Sequence, residues 1–126
     1  PISPITNSQI TATADMALVS ATYVTITGMT TTPAAGTYAV TFSSSCQTSS
    51  AGSLSQYRIT AGGVAVAHSE RDAFNNGGGQ VNGVNVAMHT QAVVTVNGAQ
   101  AIVVQGLTGG GTLTIHERSM LLIKLA

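Results

Sequence analysis

The sequence predicts an all-β fold, a sandwich or barrel of about 8–10 antiparallel strands, and three observations carry that reading. Apolar residues recur at every second position through most of the chain, as in Tyr38, Val40 and Phe42 against Thr37, Thr41 and Ser43. That spacing buries one face of a pleated strand and wets the other. β-Branched residues dominate, and no segment carries a capped apolar stripe at the helical period. Glycine-bearing turn signals interrupt the alternation at short intervals, and no fixed-length repeat points to a propeller or solenoid.

Each element follows in order. Residues 1–15 read as an extended N-terminal arm. Pro1 and Pro4 fix φ and remove amide donors, which keeps this segment out of a central strand. The segment is either a frayed terminus or an arm whose Ile2, Ile5 and Ile10 dock on a neighbouring subunit. A short apolar patch at 16–20 precedes Thr22 to Gly28, where Val24 and Ile26 alternate with Thr25 and Thr27. A turn around Pro33 leads into the Gly36–Ser45 strand, and a Ser/Thr-rich loop covers 47–53. Strands at 54–60 and 64–70 are joined by Ala61-Gly62-Gly63, whose glycines accept positive φ. Residues 75–83, with three consecutive glycines and two Asn-Gly pairs, form a surface loop. Val84, Val86 and Met88 resume a strand face. Two alternating runs, Ala92–Val96 and Ile102–Val104, flank Asn97-Gly98 and predict a hairpin. Thr108 to Gly111 is the last turn before Leu113, Ile115 and the closing run Met120 to Leu125.

Composition bounds the function. A chain of 126 residues makes one domain with a single core. Only 6% of residues are charged and 4% aromatic, so Thr, Ser, Asn, Gln and Gly must cover the surface. The formal net charge is zero, which removes the usual driver for binding nucleic acid or an anionic membrane. Weak charge repulsion leaves a chain prone to associate, and a homo-oligomer is the simplest cover for its apolar surface. The 44% hydrophobic content arrives in alternating segments, which excludes general disorder. No apolar run approaches the ~20 residues of a membrane-spanning helix. No basic segment followed by an apolar stretch opens the chain, so no signal peptide is expected. Pro1 fits removal of an initiator methionine, and the expectation is a product made in the cytosol. Cys46 is the single cysteine and forms no intrachain disulfide.

Few residues invite chemistry. His68, Glu70 and Asp72 alternate along a predicted strand and share a face, so an imidazole and two carboxylates could bind a divalent metal. An enzymatic reading would need His89 or His116 to join them. The favoured reading is structural, with a carboxylate paired to an arginine. The stretches 68–72 and 116–118 hold five of the eight charged side chains. Glu70, Arg71, Glu117 and Arg118 are therefore candidates for ion pairs across a subunit interface, with an arginine clamping a carboxylate by two parallel hydrogen bonds. An intrachain surface pair, worth roughly 0–1 kcal/mol, is the alternative. Cys46 has no activating neighbour and reads as an inert thiol. No Gly-x-Ser-x-Gly elbow, phosphate loop or Asn-x-Ser/Thr acceptor occurs. The expectation is no enzyme, no catalytic residue, no metal, no cofactor and no small-molecule substrate.

The order glycine–Tyr38–x–Val40–x–Phe42, Tyr57–x–Ile59, Gly62-Gly63, then Ser69-Glu70-Arg71 resembles the middle of a C1q/TNF-like jelly roll. The run from Gly111 to Ile115 and Leu121 to Leu125 is similar to that family's closing strands. The resemblance covers roughly 22–125 and implies one ten-stranded jelly-roll domain over 16–126, assembled as a three-fold homotrimer. Tyr38, Phe42 and Tyr57 are its candidates for core or axial trimer packing. The chain departs from the secreted animal branch in lacking a collagen-like stalk, disulfides and tryptophan. A neutral, stand-alone jelly roll with a proline-bearing arm looks more like a phage head decoration, or cement, protein. That likeness implies the major capsid protein as partner, the capsid surface of the virion as location, and Pro1, Ile2, Pro4, Ile5 and Ile10 as capsid or neighbour contacts. The alternative is the receptor- or glycan-binding head of a tail fibre or bacterial appendage, using the 47–53 and 75–83 loops.

Overall fold

A computed structural model describes residues 6–50, 53–74 and 85–126. Eleven strands follow one another among them: β1 (Asn7–Ala12), β2 (Met16–Leu18), β3 (Val24–Thr31), β4 (Gly36–Thr48), β5 (Leu54–Ala61), β6 (Val64–Ala65), β7 (Arg71–Phe74), β8 (Val86–Val96), β9 (Ile102–Thr108), β10 (Leu113–Ile115) and β11 (Arg118–Lys124). They form two antiparallel sheets, the layout of a jelly-roll sandwich. In the first sheet the long strand β4 is central, with β8 along one side and β11 and β10 sharing the other; β1 and β2 lie outside these. In the second sheet β9 lies between β3 and β5, and β6 and β7 flank β5.

Alternation decides which side chains fill the space between. Val40, Phe42, Met120, Leu122, Leu113, Ile115 and Met88 from the first sheet meet Ile26, Ile59, Ile102 and Val104 from the second, all essentially without exposure. Phe42 and Tyr57 meet edge to face across the layers, ring centroids 6.2 Å apart.

Sequence expectation and structure part company in three places. The arm expected over 1–15 is, over Asn7–Ala12, an edge strand of the chain's own sheet, paired with β11 from Asn7↔Ile123 to Ala12↔Arg118. The alternating Ile10 and Ala12 turn inward and pack against the core. Pro1, Ile2, Pro4 and Ile5 lie outside the described residues. The strand expected over 64–70 stops after Ala65. Buried Ser69 folds the chain back there, its hydroxyl accepting the Ile59 N–H at 3.0 Å and donating to the Val66 carbonyl at 2.8 Å. The hairpin around Asn97-Gly98 does not form, because β8 pairs with β4 in one sheet and β9 with β3 and β5 in the other. Asn97-Gly98 instead turns the chain from one layer to the next. By contrast, the Gly62-Gly63 hairpin is present: both glycines have positive φ, 60° and 82°, and Ala61 stands opposite Val64.

The open corner between the layers is closed by one side chain. β3 bulges between Thr25 and Thr30, with Gly28 at φ 86°, so that Ile26 and Met29 both reach the core. The Thr27 carbonyl lies within this bulge. Arg118, only 5% exposed, donates to it from Nε at 2.8 Å. Its Nη1 donates to the carbonyls of Ala14 at 3.0 Å, His116 at 3.0 Å and Ile115 at 3.4 Å. Burial holds the Arg118 guanidinium below its ordinary range. Replacing Arg118 by Met keeps the stem and removes the guanidinium donors from these carbonyls. The expected loss is about 3 kcal/mol of unfolding free energy in a urea titration, whereas Glu117→Ala next to it stays within about 0.5 kcal/mol.

Candidate functional site

The outer side of the first sheet is built by the residues that alternate with the core. Directly opposed residues on neighbouring strands share a face. Three cross-strand rows therefore run over it: Thr11–Ser119–Ser43–His89, Gln9–Leu121–Thr41–Gln91 and Asn7–Ile123–Ala39–Val93. Leu121, Ile123 and Ala39 are half-buried at the centre, while Val93 is 63% and Leu125 57% exposed. Thr37 and Thr95 continue the face, their hydroxyls 2.9 Å apart. None of these positions carries a charge. Glu117 stands at one end of the face. Lys124, opposite buried Tyr38, belongs to the other side of the sheet and lies over Gly36, where a Cβ would come within 2.6 Å of Lys124 Cε. A shallow groove of about 480 Å³ crosses the Glu117 end, lined by Thr11, Thr13, Ser43, Ser44, Ser45 and Ser119.

The second sheet's outer side carries the charge instead. The Arg58 guanidinium lies 3.8 Å over the Tyr23 ring, and its Nε donates to Gln105 Oε1 at 3.1 Å. Tyr23 donates its hydroxyl to Glu70 at 2.6 Å, and Gln56 donates to Asp72 at 3.1 Å. Burial, reinforced by the Glu70 hydrogen bond, pushes the Tyr23 hydroxyl far above the ordinary phenol range.

The structure disperses the residues singled out from the sequence. His68 is not in a strand: it takes a left-handed turn conformation at φ 67°, and Arg71 Nη1 donates to the His68 and Glu70 carbonyls, both at 2.8 Å. Glu70 and Asp72 are held by Tyr23 and Gln56. His116 lies elsewhere, its Nδ1 3.0 Å from Asp15 and its Nε2 3.1 Å from Asn85. Among the described residues, no three His, Cys, Asp or Glu side chains gather as metal ligands. Tyr38, Phe42 and Tyr57, expected at a core or trimer axis, are 6%, 0% and 3% exposed and belong to the core, with no surface left for a partner. Tyr57 in addition bonds through its hydroxyl to the backbone of His89. Arg118, expected at a subunit interface, is buried, and its Nε and Nη1 donate to carbonyls of its own chain. Glu117 and Arg71 remain exposed. Sequence reasoning missed Tyr23, Arg58 and the outward Leu121 and Ile123, because only register shows which residues stand side by side.

No family model matches the chain, and no curated protein does. Among solved structures, a chain in the structure of infectious bursal disease virus, Gx strain, is similar, with 20% identity and a TM-score of 0.63. The match covers 95% of this chain and 33% of that one, so the present chain spans about a third of its neighbour's length. At that identity the likeness is one of fold.

Cys46 is buried, and burial pushes its thiol up to about 11. The unfolded thiol ionises first as pH rises, so the folded state loses this contribution between roughly pH 9 and 11. Urea midpoints should fall across that window, and fall less in Cys46→Ala. At pH 8 the native thiol should resist alkylation that the unfolded chain undergoes readily.

Proposed function

We propose that this chain is a structural protein of a virus particle: a C1q/TNF-like capsid decoration, or cement, protein that sits as a homotrimer on the capsid surface and stabilises the head. It is made in the host cytoplasm and its partner is the major capsid protein. The observation that carries the reading is the charge-free outer side of the first sheet, where Ile123, Ala39 and Val93 stand in register across β11, β4 and β8 with Leu121 beside them. Such a surface suits burial against copies of itself and an equally uncharged partner. The fold likeness to a chain of a virus structure supports the same class. The mechanism is mechanical. A protein that binds only the assembled shell stabilises that shell by mass action, with no bond made or broken.

A second reading, a glycan-binding head, rests on the hydroxyl-lined groove beside Glu117, whose side chains offer donors and acceptors to a sugar. The loop 75–83 lies outside the described residues.

Co-sedimentation with empty capsids assembled from the partner capsid protein separates the two. Wild-type protein should pellet with shells. Leu121→Lys combined with Ile123→Lys should stay folded by circular dichroism and lose at least about tenfold in shell binding, since burying an unpaired charge is unfavourable. Retention on host cells or glycan arrays, abolished by Glu117→Ala and unaffected by the lysines, contradicts the decoration reading.

A further inference from the structure

Sheet edges expose unpaired backbone donors and acceptors, and proteins blunt them by shortness, bulges, proline or charge. Most edges here are managed. β2, β6 and β7 are three, two and four residues long, β3 is bulged at Gly28, and β1 packs against β3. β8 is different. It runs eleven residues from Val86 to Val96, regular in register with β4 throughout, and its sequence Gln91-Ala-Val-Val-Thr-Val contains no charge and no proline. The direction of its backbone follows from one contact. The His89 N–H donates to Tyr57 Oη at 2.9 Å, so His89 faces away from β4. Backbone direction alternates along a strand, so the amides and carbonyls of Gln91, Val93 and Thr95 also point off the sheet. The 2.9 Å Thr37–Thr95 hydroxyl contact fits the close, non-hydrogen-bonded pair this requires. Among the described residues, the hydrogen bonds to this edge come from Tyr57 and Ser69, at 89 and 90.

Beside this open stretch lies a cavity of about 470 Å³, lined by Thr41, Ala67, His68, Arg71, Gln91 and Val93 among others. Its rim is the 66–71 turn, fixed by Ser69 and by Arg71 Nη1, with His68 in a left-handed conformation that non-glycine residues seldom adopt. Arg71 brings the positive charge to a strip that otherwise has none. The neighbouring carboxylates do not answer it: Glu70 and Asp72 bond to Tyr23 and Gln56.

We infer that the β8 edge and this cavity receive an extended polypeptide segment bearing a carboxylate, which adds a strand along 91–95 and sets its acid against Arg71. Backbone hydrogen bonds supply the affinity of such strand addition, and a side-chain pocket supplies the selection. Charge decides the occupant. A second copy pairing edge to edge brings another Arg71 and no unengaged acid from this turn, whereas a partner strand with Glu or Asp supplies the missing charge. This inference goes beyond the decoration reading and does not depend on it.

The probe is a set of nine-residue Thr/Val peptides with a single glutamate stepped along the sequence, titrated into the full-length protein by fluorescence anisotropy and amide NMR. At a restricted set of glutamate positions, binding should perturb the amides of Gln91, Val93 and Thr95 more than those of Ala92 and Val94. Glutamine in place of that glutamate should weaken binding about tenfold. Arg71→Gln should erase the difference between the two peptides. Val93→Pro, which removes an outward N–H and leaves the ladder to β4 intact, should weaken all of them. Equal binding of glutamate and glutamine peptides overturns the inference, as does perturbation without the odd–even pattern or no binding at millimolar peptide. Wild-type protein that dimerises through β8 also overturns it.

Discussion

A buried arginine is expensive unless its donors are matched, and Arg118 is matched by carbonyls from three separate segments. One comes from the β1–β2 connection, one from the bulge of β3, and the others from the turn before β11. The guanidinium thereby ties the two sheets together at the corner where β3 leaves its ladder. The bulge in turn lets Ile26 and Met29 both face inward, and β1 dock beside them. Loosen that corner and the alternation that sorts core from surface loses its frame.

The same scarcity of charge shapes the exterior. The chain has eight charged side chains, and their placement is uneven. Arg118 is inside. Arg58, Glu70 and Asp72 lie with Tyr23 and the glutamines on the second sheet, and Asp15 meets His116 near the start of β2. The first sheet's outer rows are left with threonine, serine, glutamine, Asn7, His89 and aliphatic residues. Exposed salt bridges contribute little to stability, so the second face reads as a solvated surface. In the proposed reading, the uncharged first-sheet face with leucine and isoleucine at its centre is the one that is covered.

Much of this was legible in the sequence because period-two alternation reports a physical choice made residue by residue. The inward set Tyr38, Val40, Phe42 and the Gly62-Gly63 turn follow from it directly. What was not legible depends on partners far away in the chain. Asn97-Gly98 has hairpin chemistry, yet β8 finds a longer partner in β4 and the turn becomes a crossing between layers. Residues 64–70 alternate like a strand, yet one serine hydroxyl competes for the backbone and bends them. Arg118 resembles any surface arginine until the bulge beneath it is known. Tyr23 drew no notice because its partners, Arg58 and Glu70, are distant in sequence.

We propose a protomer with its own buried core whose uncharged first-sheet face is covered by further copies. Sedimentation velocity at micromolar concentration addresses this most directly. The expected result is a single species of about three times the 12.7 kDa protomer mass. A stable, monodisperse protomer at that concentration would contradict it.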